Sequence, residues 1–424
     1  MAIPEGWETV SLSDCGDGIR PAIKAGPFGS ALKKSSYVKD GYRVYGQEQV
    51  IANDFSVGDY FVDDERFSAL RACAVHPGDV LISLVGTFGR VAIVPRNASP
   101  GIINPRLVRI APDVSRIDSG YLAVYIQSPI VQKVLVETAQ GGTMGVLNAT
   151  TLSKLSVTLP PLPEQKKIAA ILSSVDDTIA KTESVIAELQ IVKKAMMEQL
   201  LTKGMPGRHT RFKQTEIGEI PEEWEVLKIS DIGLVHAGRQ RNPDAPGSPR
   251  PYLRVANVFD GRIDVHDVLE MPFTDVEFRR FELHAGDVLL NEGQSLELVG
   301  RCSVYQGEYP GPCAFQNSLI RFRAGRNTTS PFAAQLFRWM QSSRAFAAVA
   351  TQTTSIAHLG VSRFAGMMVR LPPLAEQVEI ARVLDCFDSF TAQTRTELAA
   401  LRRCKQALSS SLLSGEIRVI PEVA

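Results

Sequence analysis

Two stretches of the chain carry hydrophobic residues in alternating steps of four and three positions, the spacing of helices with one long apolar seam. Pro163 and Pro373 lie at their starts, and neither stretch contains another proline, or any glycine, before Gly204 and Gly415. Proline is tolerated near a helix start and glycine favours a helix end, so the pattern predicts helices within 159–204 and 371–415. The seam positions are Ile168, Leu172, Val175, Ile179, Thr182, Ile186, Leu189, Lys193, Met196 and Leu200 in the first helix, and Ile380, Leu384, Phe387, Thr391, Thr394, Leu398, Leu401, Lys405, Leu408 and Leu412 in the second.

The two seams share one register, because polar residues interrupt both at corresponding places. Thr182 corresponds to Thr394, and Lys193 corresponds to Lys405. Equivalent seams can pair about a pseudo-twofold axis, and we expect an antiparallel coiled coil, with parallel pairing as the open alternative. About 36 residues at ~1.5 Å per residue give each helix a length of roughly 54 Å.

The regions that precede the two helices alternate short β-branched runs with turn residues, which is typical of strands joined by tight turns. Runs such as VLISLV, RVAIV and RLVRI are separated by glycine, proline, asparagine and aspartate. The residues of HPGD and HAGD are those that tight turns favour, so we expect structural roles for His76, Asp79, His284 and Asp287. Together with the helices, these runs predict a mixed α+β fold.

The chain is an internal duplication. LPPLPEQKKIAAIL begins at Leu159 and returns as LPPLAEQVEIARVL at Leu371, while PEGWETVSLSD at Pro4 returns as PEEWEVLKISD at Pro221. A period of about 212 residues indicates a pair of duplicated domains rather than a solenoid. The sequences between these matches have diverged, so the two halves share a frame and differ in content.

Charge is balanced overall and uneven locally. Lysine plus arginine equals aspartate plus glutamate, 46 of each, so the net charge does not point to nucleic acid. Residues 19–43 carry six basic and one acidic side chain, and residues 237–254 carry four and one. One such run is ordinarily a solvated loop, but two runs at similar places in two halves favour nucleic-acid binding.

Candidate catalytic chemistry is missing from the sequence. It contains no GxxxxGK[ST], GxSxG, HExxH or GxGxxG motif and no Asn-Pro-Pro-aromatic tetrapeptide. The six cysteines form no CxxC pair and no zinc-type spacing with the six histidines. No apolar run approaches ~18 residues and the first residues lack signal-peptide features, so we expect a cytoplasmic location. A chain of 424 residues with this profile is predicted to bind rather than to catalyse.

Two variable regions, each followed by a helix that opens with LPPLxEQxxIA, resemble the specificity subunit of type I restriction–modification systems over essentially the whole chain. The resemblance implies an α+β fold with two mixed α/β target recognition domains, at 1–158 and 219–370, joined by two long helices in a pseudo-twofold antiparallel coiled coil. Each domain would read one half of a split, asymmetric DNA site, and helix length would set the gap between half-sites. Residues 159–204 and 371–415 would be the central and C-terminal spacer helices, residues 205–218 a linker and residues 416–424 a tail.

The resemblance also implies partners. Two modification (methyltransferase) subunits would dock on the helices and methylate adenine, and restriction subunits would complete an ATP-dependent nuclease that acts on double-stranded DNA. This chain would be non-catalytic and would bind no cofactor itself, with S-adenosylmethionine, ATP and Mg on the partner subunits. A non-catalytic coiled-coil scaffold with two protein-binding domains remains the alternative. A fused enzyme with its own methyltransferase is a third, against which the missing cofactor loop counts.

Candidate DNA contacts come from the two basic runs, because sequence is read by side chains at base edges while phosphates bind lysine and arginine. For each candidate the ordinary alternative is a solvated surface group. The Asn257 amide is the candidate adenine reader. The full set is Lys33, Lys34, Tyr37 and Arg43 in the first half and Arg239, Arg241, Arg254 and Asn257 in the second.

Candidate docking residues for the modification subunits lie on the helix faces directed away from the seam. At the helix starts the alternative is local, since glutamate and glutamine are favoured in a first turn by capping and by the helix dipole. Outer apolar positions such as Ile191, Val192 and Met197 would be exposed on a free coiled coil. The docking set is Glu164, Gln165, Ile171, Glu376 and Gln377.

Overall fold

The computed structural model describes residues 3–28, 31–85, 89–140, 149–242, 244–352 and 355–419. The chain divides into two compact units. Unit 1 consists of Met1–Glu183 together with Thr396–Ala424, and unit 2 is the continuous segment Ser184–Arg395. Both long helices contribute residues to both units.

Unit 1 mixes short strands with helices. Its strands are β1 (Glu8–Ser11), β2 (Ile23–Ala25), β3 (Tyr42–Tyr45), β4 (Phe61–Val62), β5 (Val80–Ser83), β6 (Val91–Ile93), β7 (Gly101–Ile103), β8 (Leu107–Ile110) and β9 (Ser156–Leu159). The helices of this part of the chain are α1 (Gln47–Ala52), α2 (Asp64–Ala69), α3 (Ser119–Gln127), α4 (Pro129–Gln140), α5 (Ala149–Ser153) and the long α6 (Leu162–Lys203).

Three strand groups organise unit 1. Strands β2, β8, β5 and β6 form an antiparallel sheet in that order, while β4, β3 and β7 form a second sheet, and β1 pairs with β9. Every residue of β5 is buried. Val80 and Ile82 enter a core cluster shared with α3 and α6, whereas Leu81 enters a second cluster with the β3 and β7 side chains. Alternate side chains point to opposite faces of a strand, so a strand buried on both faces is apolar throughout.

Unit 2 repeats this arrangement with more strands. They are β10 (Phe212–Thr215), β11 (Gly218–Pro221), β12 (Glu225–Lys228), β13 (Gly233–Ala237), β14 (Ser248–Leu253), β15 (Val258–Phe259), β16 (Arg262–Ile263), β17 (Leu269–Phe273), β18 (Val288–Asn291), β19 (Gly293–Gln294), β20 (Cys302–Val304), β21 (Ala314–Phe315), β22 (Leu319–Ala324), β23 (Thr351–Gln352), β24 (Ala357–His358) and β25 (Met368–Leu371). The helices are α7 (Ile229–Ile232), α8 (Asp275–Phe281), α9 (Ser330–Ser342), α10 (Ala345–Val349), α11 (Val361–Ala365) and the long α12 (Leu374–Ser414).

The sheets of unit 2 correspond to those of unit 1. The order β13–β22–β18–β20 matches β2–β8–β5–β6, the order β17–β14–β21 matches β4–β3–β7, and the pair β12–β25 matches β1–β9. The central strand β18 again divides its side chains, with Val288 and Leu290 in one core cluster and Leu289 in another. The internal repeat of the sequence is therefore a repeat of the fold, and the expected mixture of helix and sheet is confirmed.

The long helices follow the sequence pattern closely. Each seam position is buried or half-buried. Gly204 and Gly415, directly after the two helices, have φ of +79° and +72°, the left-handed conformation in which glycine ends a helix. Other parts of the chain differ from expectation. The segment 205–218, expected to be a linker, contains strand β10 of a hairpin, and the described part of the tail, up to residue 419, is hydrogen-bonded to Glu164 of unit 1.

Candidate nucleic-acid interface and helix-start sites

The glutamate of each LPPLxEQ sequence is a buried acceptor for a tryptophan. The indole Nε1 of Trp7 donates to Glu164 Oε2 at 3.1 Å, and that of Trp224 donates to Glu376 Oε2 at 3.0 Å. The two glutamates are only 2% and 3% exposed. The PExWE and LPPLxEQ sequences recur together because their side chains bind each other.

In unit 1 the same carboxylate also binds the segment that follows α12. Arg418 donates from Nε and Nη2 to the two oxygens of Glu164 at 2.9 and 3.0 Å, and the backbone N–H of Val419 donates at 3.2 Å. Burial acts to raise the pKa of Glu164, but the hydrogen bonds from Arg418, Val419 and Trp7 together hold it below its ordinary value. The charged carboxylate of Glu164 therefore links the start of α6 to the end of the described chain by hydrogen bonds.

In unit 2 a histidine takes the place of the arginine. The Nε2 of His209 lies 2.9 Å from Glu376 Oε1, and its Nδ1 lies 2.8 Å from Glu223 Oε2. The backbone N–H of Met205 donates to the same oxygen of Glu376 at 3.1 Å. These residues follow α6, just as Arg418 follows α12, so each unit joins the start of one long helix to the end of the other.

The glutamine of each LPPLxEQ sequence is also used within its own unit. Gln165 Nε2 donates to the carbonyls of Pro160 and Arg116 at 2.8 and 2.9 Å, and its Oε1 accepts from the N–H of Asp118, the N-cap of α3, at 2.9 Å. The amide thus holds the start of α6 against the start of α3. The corresponding contacts in unit 2 join Gln377 to Pro372, Asn327 and Thr329.

The docking prediction requires its side chains to be accessible at the surface. These contacts show that four of them are not. A carboxylate or amide with several internal partners and almost no exposed area has little left to offer a partner subunit. Ile171, the fifth candidate, is half-buried against the core of unit 1. The four internal residues are Glu164, Gln165, Glu376 and Gln377.

The outer apolar positions of α6 divide into two kinds. Ile191 and Val192 are 70% and 46% exposed, as the sequence pattern predicts. Met197 is buried in the core of unit 2, so the expectation that it would be exposed is wrong. The helix turns this side chain toward the globular part of its own unit.

Two lysines of the first basic run remain available to a ligand. Lys33 and Lys34 are exposed, and their ammonium groups have no hydrogen bond or ion pair within the described part of the chain. Tyr37 is half-buried beside Tyr60, with 4.8 Å between the ring centroids, and burial raises the pKa of the Tyr37 phenol. Lys33 and Lys34 therefore fit the DNA-contact hypothesis better than Tyr37 does.

Arg43 is engaged inside unit 1. Its Nη1 donates to the backbone carbonyls of Val57, at 3.0 Å, and Gly58, and its guanidinium lies 5.0 Å from the ring centroid of Phe61. Two carbonyl acceptors and an aromatic face account for this side chain structurally. The placement contradicts a free DNA-contacting Arg43.

The arginines of the second basic run differ from one another. Arg239 is buried and pairs with Glu277 at 3.2 Å, and Arg254 pairs with Asp267 at 2.5 Å. Each thus has a carboxylate in its own unit, which contradicts the free guanidinium that the prediction assumed. Arg241 is exposed, with no side-chain partner among the residues the structure describes.

Asn257 is not placed to read adenine. It is 1% exposed, its Oδ1 accepts from the N–H of Arg254 at 2.9 Å, and its Nδ2 donates to the carbonyls of Asp264 and Asp267 at 2.9 and 3.0 Å. Bidentate recognition of adenine needs both the amide oxygen and the amide N–H₂ at the surface. The amide oxygen and the amide N–H₂ both form hydrogen bonds within the loop that Asn257 closes, so the prediction that Asn257 reads adenine is wrong.

The structural reading of the HPGD and HAGD turns is confirmed. Asp79 accepts from the N–H of His76 at 2.8 Å and pairs with Arg20 at 2.9 Å. Asp287 accepts from the N–H of His284 at 2.8 Å and is bonded by Arg323 at 2.6 and 2.7 Å. Each aspartate closes its turn and neutralises an arginine.

Sequence reasoning missed the partners of the two seam lysines. Lys193 pairs with Asp388 and Lys405 pairs with Asp176, in each case at 2.5 Å. The two aspartates correspond in the repeat, because each lies one position after a seam residue. That shared spacing is the feature of the sequence that could have predicted the two ion pairs. Asp388 has further partners on α9, accepting from Gln335 at 2.9 Å and from Arg338 at 2.7 Å.

Comparison with known proteins decides the family. The family model for the type I restriction modification DNA specificity domain matches the chain twice, at residues 4–190 and 221–403. The chain belongs to this family. As a specificity subunit it recognises DNA sequence within a type I restriction–modification complex, and it is not the catalytic component.

Relatives and solved structures agree with this assignment. The specificity subunit is 26% identical over 445 residues to a putative type I restriction enzyme MjaX specificity subunit of Methanocaldococcus jannaschii, covering 98% of this chain and 95% of the relative. It is 23% identical to the EcoKI specificity subunit of Escherichia coli K12, covering 98% and 90%. A chain of a solved type I system has a TM-score of 0.59 at 15% identity, covering 98% and 100%, and the S subunit from M. genitalium has 0.55 at 12%, covering 100% and 99%. The two structures support the fold alone.

Two further findings concern the described residues of this specificity subunit. They contain no group of three or more histidine, cysteine, aspartate or glutamate side chains that could hold a metal ion, and no helix long and apolar enough to cross a membrane. Cys15, Cys73, Cys302 and Cys313 are buried free thiols. Burial raises the pKa of Cys15 to about 11 and that of Cys302 to about 12, so both are protonated at neutral pH.

Proposed function

We propose that this specificity subunit reads a bipartite, asymmetric DNA site, with one half-site for each globular region. The two long helices would pair antiparallel and set the spacer between half-sites, and their exposed faces would dock two modification subunits. Restriction subunits would join that complex. S-adenosylmethionine, ATP and Mg would be supplied by those partner subunits.

One observation carries the proposal: the specificity domain occurs twice, on one structural frame, with different surface side chains. Two different half-sites require two readers that keep their scaffold and change the groups that meet the bases. The glutamate, glutamine and tryptophan at the helix starts are the same in both copies, whereas the basic runs at 19–43 and 237–254 differ in sequence. That is the distribution expected of a duplicated reader.

Ion pairs within each unit support antiparallel pairing of the helices. In unit 1, Asp176 and Glu183 of α6 pair with Lys405 and Arg402 of α12, so positions rise along one helix as they fall along the other. In unit 2 the order is also reversed, because Lys193 binds Asp388 while Met205, just after the end of α6, binds Glu376. A charged side chain within an apolar seam is a recognised way to fix helix register and partner orientation.

The exposed cations that lack a partner in the described chain support DNA contact at Lys33, Lys34 and Arg241. Such ammonium and guanidinium groups neutralise phosphates and release counterions, which gives affinity with a strong salt dependence. For docking, the exposed Ile191 and Val192 are better candidates than the buried helix-start residues, because exposed apolar positions on a helix gain most from being covered.

The direct test is sequencing of methylated bases in a host that carries this gene with its neighbouring modification gene. We expect N6-methyladenine at one split motif, and its loss when this gene alone is deleted. A host that carries the modification gene without this one is the matched control. A contiguous, unsplit motif that depends on the gene would contradict reading by two domains, and methylation that persists after deletion would contradict the DNA-specificity role.

A further inference from the structure

The four-stranded sheet of each unit has one end at which both units form the same turn closed by an aspartate. In unit 1 the HPGD turn leads into β5 at this end, and in unit 2 the HAGD turn leads into β18. Asp79 and Asp287 make the same backbone hydrogen bond and each binds an arginine. This end, here called the turn end, is a structural element common to both copies.

The opposite end, here called the loop end, keeps its backbone in both units and differs in several of its side chains. A Cβ added to Gly26 would lie 1.8 Å from the carbonyl oxygen of Asn104, and one added to Gly238 would lie 2.2 Å from that of Gln316. Only glycine permits this approach between the segment after the first strand of the sheet and the segment before its neighbour. The two loop ends are therefore framed alike.

The side chains carried by that common frame differ between the units. Arg106 in unit 1 corresponds to Ser318 in unit 2, and Phe28 corresponds to Gln240. Phe28 is 67% exposed. At the loop end Arg90 and Arg301 correspond to each other in the repeat, whereas the exposed Arg106 before β8 is found only in unit 1 and the exposed Arg241 after β13 only in unit 2.

Arg106 and Arg241 differ from the arginines near the sheet that are paired with carboxylates. Both are exposed, and within the described residues neither guanidinium has a hydrogen bond or ion pair. By contrast, Arg239 binds Glu277, while Arg20 and Arg323 at the turn end bind Asp79 and Asp287. Only the two loop-end side chains of this set keep their whole donor fork for a ligand.

We propose that the loop end is the base-reading face of each domain, and that Arg106 and Arg241 are specificity-determining residues, one for each half-site. The inference rests on the proposed function, in which each domain reads its own half-site. A duplicated reader must hold its backbone constant and change its side chains where the bases lie, and the loop end has that property. Arginine presents two parallel donors that match the O6 and N7 acceptors of guanine, so each half-site is expected to contain a guanine read by one of these residues.

The experiment measures the methylated motif of hosts carrying the complete complex with Arg106→Ala or Arg241→Ala. Arg106→Ala should relax one base position in one half-site, with about a tenfold or greater loss of discrimination, and leave the other half unchanged. Arg241→Ala should do the same in the other half. The matched controls are Arg96→Ala in unit 1 and Arg326→Ala in unit 2, because these exposed arginines lie at the turn end and also lack side-chain partners in the described chain.

Lysine variants keep the test decisive if an alanine variant loses all methylation. Arg106→Lys and Arg241→Lys retain the positive charge but not the planar fork, so they should relax the same base positions. Full discrimination by both lysine variants would overturn base reading through the paired donors of the guanidinium. A uniform loss of methylation at an unchanged motif would also overturn it, since that is the behaviour of a phosphate contact.

The loop-end assignment and the proposed function can fail separately. If the wild-type complex methylates a split motif and neither Arg106→Ala nor Arg241→Ala changes its sequence, the loop-end assignment is wrong and the proposed function stands. If the wild-type motif is not split, the proposed function fails first. A change caused by Arg96→Ala or Arg326→Ala would place base reading at the turn end and overturn the inference.

Discussion

The indole of Trp224 donates a hydrogen bond of 3.0 Å to the carboxylate of Glu376, although 152 residues separate the two. The equivalent pair, Trp7 and Glu164, spans 157 residues. Each bond ties the residue directly before β1 or β12 to the start of the long helix that follows in the chain. The relationship explains why two motifs distant in sequence recur as a set.

Trp224→Phe should lower the free energy of unfolding by about 2–4 kcal/mol. The substitution removes the indole donor and leaves a buried carboxylate oxygen of Glu376 without it, and it also creates a cavity in a fully buried site. Chemical denaturation of the purified protein measures the change. Trp339→Phe is the control, because its indole bonds to Glu198 at an exposed site, and it should cost no more than about 1 kcal/mol. Equal costs for the two variants would contradict a structural role specific to Trp224.

Asp388→Asn should destabilise the protein more than Asp176→Asn, although the residues correspond in the repeat. Asp388 accepts from Lys193, Gln335 and Arg338, whereas Asp176 pairs with Lys405. We expect about 2 kcal/mol for the first substitution and about 0.5 kcal/mol for the second, since isolated exposed pairs contribute little. Thermal and denaturant unfolding of the two variants give the comparison, and the reverse order would refute this account of the network.

The Glu164 carboxylate should make unit 1 sensitive to acid. Its pKa is held below the ordinary value in the folded state, so its stabilising effect is present above the unfolded pKa of about 4.3 and is lost as pH falls through the lower, folded value. Arg418→Gln removes the paired charge and should reduce stability at neutral pH. The unfolding free energies of variant and wild type should converge in acid, and a difference independent of pH would exclude the ion pair as its cause.

Asn257→Ala should destabilise unit 2 by about 1–3 kcal/mol and leave the methylated motif unchanged. The amide makes three backbone hydrogen bonds within one loop and offers none of its polar atoms to DNA. Denaturation together with sequencing of methylated bases separates the two effects. Asn97→Ala, at an exposed position, should lie within about 0.5 kcal/mol of wild type. A relaxed motif in the Asn257 variant at full stability would restore the adenine-reader hypothesis.

The periodicity of apolar residues predicted most of the fold, because it directly reflects which positions are buried. The seam of α6 and α12, the helix ends at Gly204 and Gly415, and the turn roles of Asp79 and Asp287 all depend on residues close together in sequence. The internal repeat extended these local inferences to both halves of the chain. Sequence pattern and tertiary structure agree wherever a single strand, turn or helix face determines the outcome.

Individual side-chain roles depend on contacts that sequence spacing does not contain. Arg239 and Arg241 are two positions apart and equally basic, yet one is bound to Glu277 and the other is exposed. Likewise the helix-start residue Glu164 suits a helix terminus by composition, but its partners Trp7 and Arg418 come from distant parts of the chain. Only the shared recurrence of tryptophan and glutamate in both halves hinted at such a pairing.

The composition of the two units has a consequence for the order in which the protein acquires structure. Unit 2 is continuous in sequence, whereas unit 1 needs residues 396–424, and its core includes Leu408, Leu412 and Leu413. During synthesis the chain grows at ~5–20 residues per second, and all of unit 2 leaves the ribosome before the part of α12 that belongs to unit 1. The entropic cost of bringing the two segments of unit 1 together grows only slowly with the length of chain between them. The apolar core of unit 1 nevertheless stays incomplete until α12 packs against it. Unit 1 begins to be translated first but cannot complete its core until all of unit 2 has been made.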